Sequence, residues 1–133
     1  MPKPLPSPIS RTLTIEECWS LLGASGVGRV ALTVSGTPRI IPVNYGVLGD
    51  VVYFRTAPGT LLNDVTWQKV AFEADDIDPD TRSGWSVCVV GSGSPAGGDG
   101  PRVDSWAPGQ RERRYRIVPD EVSGRRLYGR TYS

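Results

Sequence analysis

The residues best suited to chemistry crowd between Arg39 and Thr60. Arg55 and Thr56 end an apolar run, and Ala57-Pro58-Gly59-Thr60 turns into a short helical pattern. A guanidinium, two hydroxyls and the free amides of a helix start are the donors a phosphate needs. The same residues suit a plainer use, an exposed strand end with Thr60 as an ordinary N-cap. Short motifs match by chance often, so the spacing alone favours that plainer use. Adjacent strand residues also point to opposite faces, so Arg55 and Thr56 share a ligand only where the strand ends or twists.

Just upstream, Pro42-Val43-Asn44-Tyr45 could frame a flat heterocycle, with backbone groups reading its polar edge and Tyr45 covering one face. The alternative is a kinked hairpin strand. Proline cannot donate to a ladder, so the strand is irregular or at an edge near Pro42. Trp85 opens a nearly all-apolar run and reads as core or interface. Trp106 has only Asp104, Ser105, Pro108 and Gly109 around it, so it reads as a lid or partner contact.

The totals narrow the chemistry. There is no histidine, which removes Ser-His-Asp and Cys-His machinery and the usual proton shuttle. Hard chemistry in this chain would belong to a bound cofactor. Cys18 and Cys88 have no metal-type spacing and sit in apolar patterns, as free buried thiols do. Net charge is +1, so no whole-molecule field argues for nucleic acid or membrane. Residues 111–133 carry seven Arg against three acids, and residues 73–80 carry five acids. A solvated face, or ion pairs between these two clusters, is the expected use. No segment approaches a secretory core or a membrane span, so the expected location is cytoplasmic.

The elements that position these residues are mostly strands. Residues 1–12 read as a flexible, proline-stiffened arm, and residues 13–133 as a single domain. Thr14 and Glu17 form a capping box for a helix whose apolar face is Ile15, Cys18, Trp19 and Leu22, stopped by Gly23. Strands are expected over 28–34, 39–47, 51–56, 70–74, 85–90 and 113–118, with a second short helix over 60–67. The Gly- and Pro-rich stretch 92–109 reads as the longest loop, and 122–127 as a segment behind the last strand. Six strands at hairpin spacing predict an all-β, closed or partly closed barrel.

Taken in order, several blocks carry a resemblance. They are Val27-Gly28-Arg29-Val30-Ala31, Pro42-Val43-Asn44-Tyr45, Val52 to Gly59, Val70-Ala71-Phe72-Glu73-Ala74-Asp75 and Gly84 to Gly91. Together they resemble the pyridoxamine 5'-phosphate oxidase-like family, and within it the small flavin-binding split-barrel proteins related to nitroimidazole-resistance reductases. The resemblance implies a six-stranded split barrel, a homodimer, and FMN or the deazaflavin coenzyme F-420 held between subunits.

Carried over by position, it implies that Pro42, Val43, Asn44 and Tyr45 lie along the ring. Arg55, Thr56, Gly59 and Thr60 would hold the phosphate. Trp85 and Ser86 would come from a neighbouring part of the site, and Trp106 from a closing loop. One departure stands out: Leu61 follows Thr60 where family members often carry Lys, the loss of a contact worth ~1–3 kcal/mol when charge-assisted. Arg39 and Arg82 are the other cations considered as compensation.

The reading is then an oxidoreductase transferring hydride between bound FMN and a small substrate, without nucleic acid or membrane partners. No catalytic acid or base is assigned, and Tyr45 is the expected donor near the ring. A deazaflavin-dependent reductase, a non-catalytic cofactor- or small-molecule-binding protein, and a nucleic-acid binder using the arginine-rich end are the rivals.

Overall fold

In a computed structural model, residues 9–56, 68–98, 100–101, 103 and 113–129 are described. They form β1 (Ile9–Thr12), α1 (Ile15–Leu22), β2 (Ser25–Val34), β3 (Thr37–Leu48), β4 (Val51–Thr56), β5 (Lys69–Asp78), β6 (Ser83–Pro95) and β7 (Arg113–Tyr128). All pairings are antiparallel, in the order β1-β7-β4-β3-β2-β5-β6, and β6 also pairs with β7. Six strands therefore close a ring, which is the expected barrel.

β7 explains the split. Of its 16 residues, the stretch from Tyr115 to Leu127 pairs with β6 along one edge, while β4 takes the first part of the other edge and β1 the last part. Between Val90 and Gly91 the β6–β7 register slips, so that Val90 faces Glu121 and Gly91 faces Pro119. This is a bulge, and it accommodates a proline inside a long strand.

Period-two alternation fills the interior with Val30, Leu32, Val52, Phe54, Phe72, Val87, Val89, Tyr115 and Ile117. α1 caps this core with Cys18 and Leu22. Two hairpins use two-residue turns whose central residues have positive φ, Ser35-Gly36 and Gly49-Asp50. That geometry matches the twist of the flanking strands and fixes their register.

Several expectations need correction. Residues 9–12 are strand, held by pairing with Tyr128 to Arg125, rather than part of a loose arm. Strand β6 continues to Pro95, so 92–95 is ladder and not loop. The stretch 113–128 is one strand, not a strand with a segment behind it. Ile15 is exposed, and the buried face of α1 rests on Cys18 and Leu22 with Trp19 beside them. The expected helix over 60–67 lies outside the described residues.

Candidate functional site

The Gly49-Asp50 turn sets Asn44 opposite Arg55, and β4–β7 pairing sets Arg55 opposite Arg114. Their neighbours Val43, Tyr45, Phe54 and Tyr115 are buried in the barrel. Asn44, Arg55 and Arg114 therefore form a row across three strands on the outer face, each half-buried. Pro42 sits at one end of this face, exposed, in the part of β3 that pairs with β2 alone. That satisfies the edge requirement of a strand proline.

A short segment covers the far side of the row. Residues Ala96 and Val103 pack with Tyr53 in a second small cluster on the outer face. Arg55 Nη1 donates to the Val103 carbonyl at 2.7 Å. Arg114 donates to the carbonyls of Pro101 and, at 3.4 Å, Gly97. Its Nε is buried and finds no acceptor among the described residues. Arg116, two residues along the same face, donates from Nε to Ser94 Oγ at 3.3 Å. Arg114 and Arg116 are thus held by neutral acceptors among the described residues.

Two expected roles change here. Tyr45 is only 4% exposed, and its hydroxyl donates to the Leu22 carbonyl at 2.8 Å within the core. Burial also pushes its phenol pKa up. The side chain is committed to packing, so it is not the expected donor beside a ring. Val43 is buried likewise, which leaves backbone groups as the only outward contribution of these two residues.

The profile of the pyridoxamine 5'-phosphate oxidase family matches residues 14–126. The chain belongs to that family. It is similar to an FAD-binding protein from Mycobacterium smegmatis, at 34% identity and TM-score 0.72, covering 89% of this chain and 98% of that one. It is also similar to a putative pyridoxamine 5'-phosphate oxidase from Corynebacterium glutamicum, at 29% identity and TM-score 0.76, covering 90% and 99%. The Mycobacterium tuberculosis protein Rv0080 is 38% identical over 82 residues, 57% of this chain and 54% of that protein. The chain thus spans about half the length of the curated relative it matches.

In this family member, Trp85 and Ser86 stand apart from Arg55. Three strands separate β4 from β6 on one route around the ring. On the other, Ser86 pairs with Arg125, 11 residues along β7 from Arg114, roughly 35 Å of extended strand. Trp85 leans on the core, and Ser86 lines an outer groove of about 330 Å³ with Glu73, Cys88, Ser123 and Arg125. A single chain does not bring these two sets together. The strand backbone of Thr56 pairs with Arg113, but its side chain lies outside the described residues, as do Gly59, Thr60, Leu61 and Trp106.

The acidic cluster finds its cation on β2. Arg29 bridges Glu73 at 2.7 Å and Asp75 at 3.5 Å, and among the described residues no ion pair joins these acids to the C-terminal arginine run. These three line a second outer groove, about 240 Å³, floored by Ala31 and Ala71 beside exposed Ile40. Burial, with Asp75 adding to it against Arg29, raises Glu73 to about 7. From the sequence, Arg114 entered only through the arginine-rich end and Arg29 only through a resemblance block, neither as a residue of this site. For Arg114 the signal existed, because Tyr115 and Ile117 alternate with Arg114 and Arg116.

Among the described residues no helix is long and apolar enough to cross a membrane.

Proposed function

We propose that this family member is a flavin-dependent oxidoreductase that works as a homodimer and transfers hydride between bound FMN and a small substrate. The observation that carries this reading is the outer-face row Asn44–Arg55–Arg114, a half-buried cationic strip beside the exposed backbone at Pro42. A buried guanidinium nitrogen without an acceptor, Arg114 Nε, fits a place where an anion belongs. The similar M. smegmatis protein is named as FAD-binding, which supports a flavin nucleotide and keeps FAD beside FMN as its form.

A bound flavin would supply the hydride chemistry that protein side chains do not offer on their own. The protein's share is orientation and electrostatics. Arg55 would hold the phosphate end, with Thr56, Gly59 and Thr60 as the further residues that the family resemblance implies. Backbone groups from Pro42 to Tyr45 read the polar edge of the ring, and Asn44 adds an amide. Ala96 and Val103, packed on Tyr53, would shield that end from water. Trp85 and Ser86 would reach the same site from the second copy, since within one chain Ser86 lies level with Arg125, 11 residues along β7 from the Arg114 that faces Arg55. Trp106, outside the described residues, would be the closing residue that the family resemblance implies.

A visible spectrum of the purified protein, with mass identification of what it releases, tests the reading and separates FMN, FAD and the deazaflavin coenzyme. The expected result is a flavin spectrum, or its appearance on adding FMN, and a dimer by light scattering. Arg55→Ala should weaken FMN binding while thermal unfolding stays cooperative. A colourless protein that takes up neither flavin nor deazaflavin would overturn it.

A further inference from the structure

We infer that two copies of this chain pack face to face through the outer surface of β2 and β5, about a two-fold axis running between these strands, so that each copy completes the other's flavin site. This rests on the dimer reading above and names the surface that makes it.

Successive register partners set three rows of outward side chains across β3, β2, β5 and β6. One row is Ile40, Ala31, Ala71 and Val90, and the next is Pro42, Arg29, Glu73 and Cys88. The third is Asn44, Val27, Asp75 and Ser86, with Val27 two residues from Arg29 and Asp75 two from Glu73. A solvated face of an antiparallel sheet carries polar residues. The first row carries none, and Ile40 and Val27 are 72% and 43% exposed.

The shape of that row selects a second copy as its cover. It reads large, small, small, large, the same in either direction. The outside of a barrel is convex, so two barrels touch along a crest and part on either side. Ala31 and Ala71 lie where the backbones come closest, and Ile40 and Val90 stand where the gap widens. An axis parallel to the strands sets Ala31 on Ala71 of the partner subunit and Ile40 toward Val90 of the partner subunit.

The charges are complementary about the same axis. Arg29 on β2 falls opposite Glu73 of the partner subunit, and Val27 opposite Asp75 of the partner subunit. No like charges are directly opposed, whereas an acidic or basic partner would meet its own sign here. The ends of the third row then meet as well. Asn44 and Ser86 are three strand spacings apart within one chain, about 14 Å. The axis brings Asn44 to Ser86 of the partner subunit, in the wedge where the convex faces part. Each flank of the interface thus holds one cleft for a flat ring, lined from both copies.

The test is sedimentation and light scattering of the full-length protein and of the Ala31→Arg, Ile40→Asp and Leu48→Arg variants. Leu48 is 56% exposed at the end of β3 beside the β3–β4 turn, away from this face. The parent and Leu48→Arg should be dimers. Ala31→Arg and Ile40→Asp should weaken the dimer about thirtyfold or more, as loss of a central contact does. Both positions point outward, and cooperative melting checks that the variants stay folded. Mixed Ala31→Cys and Ala71→Cys copies give a second measurement: a short bismaleimide should join positions 31 and 71 between copies, read by peptide mapping. A dimer that neither substitution weakens, with no such link, overturns this interface and leaves the dimer reading standing. A parent that is monomeric at every concentration overturns both. A monomeric variant that binds FMN as tightly as the parent overturns the shared site.

Discussion

The Tyr45 hydroxyl donates to the Leu22 carbonyl at 2.8 Å, joining the middle of β3 to the last turn of α1. That carbonyl is among those a helix end leaves without an internal partner. The Tyr45 ring meets Phe72 edge-on, with centroids 4.9 Å apart, so one side chain docks the helix and fills the barrel. A Cβ on Gly26 would lie 2.9 Å from the same hydroxyl, which is why β2 is bare there. Tyr45→Phe should cost about 1–2 kcal/mol by stranding a buried carbonyl. Urea unfolding measures this, while FMN affinity should move by less than about twofold. A large loss of FMN affinity at unchanged stability would show that the hydroxyl serves a ligand after all.

The legible parts of this fold were those set by local chemistry. Thr14 and Glu17 marked the helix start, because capping demands particular residues at fixed offsets. The ladder extensions were not legible. Gly91 to Pro95 and Pro119 have loop composition, but β6 and β7 pair through them because long-range partners and a bulge override propensity. For the site, alternation separates Asn44 from Val43 and Tyr45 at once. Which of the two faces is core depends on how the sheet closes, and no local pattern carries that. The Arg55–Arg114 pairing likewise joins residues 59 positions apart.

The capping box sets the next expectation. Thr14 Oγ1 accepts from Glu17 N at 3.1 Å and Glu17 Oε1 accepts from Thr14 N at 3.0 Å. Thr14→Ala should cost about 1 kcal/mol by loss of the cap. The Arg11 fork, then the Thr14 amide, lower Glu17 to about 2. A lowered carboxyl contributes stability above its ordinary value near 4.5 and loses it as pH falls through about 2. Acid unfolding of Glu17→Gln should therefore show a smaller decline across that window than the parent. Identical acid profiles would refute this.

Gly100 fixes the segment over the candidate site. Its φ is +89°, a left-handed value, and a Cβ there would run into the Tyr53 ring. Gly100→Ala should loosen residues 96–103 at a local cost of about 1–3 kcal/mol, with global stability less affected. Limited proteolysis or amide exchange of that segment reads the change. Protection equal to the parent would mean the ring moves aside freely.

Glu73 gives the barrel a pH dependence near neutrality. It faces Arg29 on β2, Asp75 on its own strand and Cys88 across the β5–β6 ladder. Burial first, then the Asp75 carboxyl, raise it to about 7, while Arg29 opposes them. A raised carboxyl prefers its protonated form in the fold. Its stabilising share is full below about 4.5, the ordinary value, and is lost as pH rises through about 7. The parent's melting temperature should therefore carry a descending step across that window. In Glu73→Gln, permanently uncharged, the step should vanish and stability at pH 8 should exceed the parent's modestly. The Arg29 bridge it gives up is partly exposed, and such pairs contribute little in water. Melting curves at fixed ionic strength decide the matter. A variant less stable than the parent at pH 8 would mean the Arg29 bridge outweighs burial.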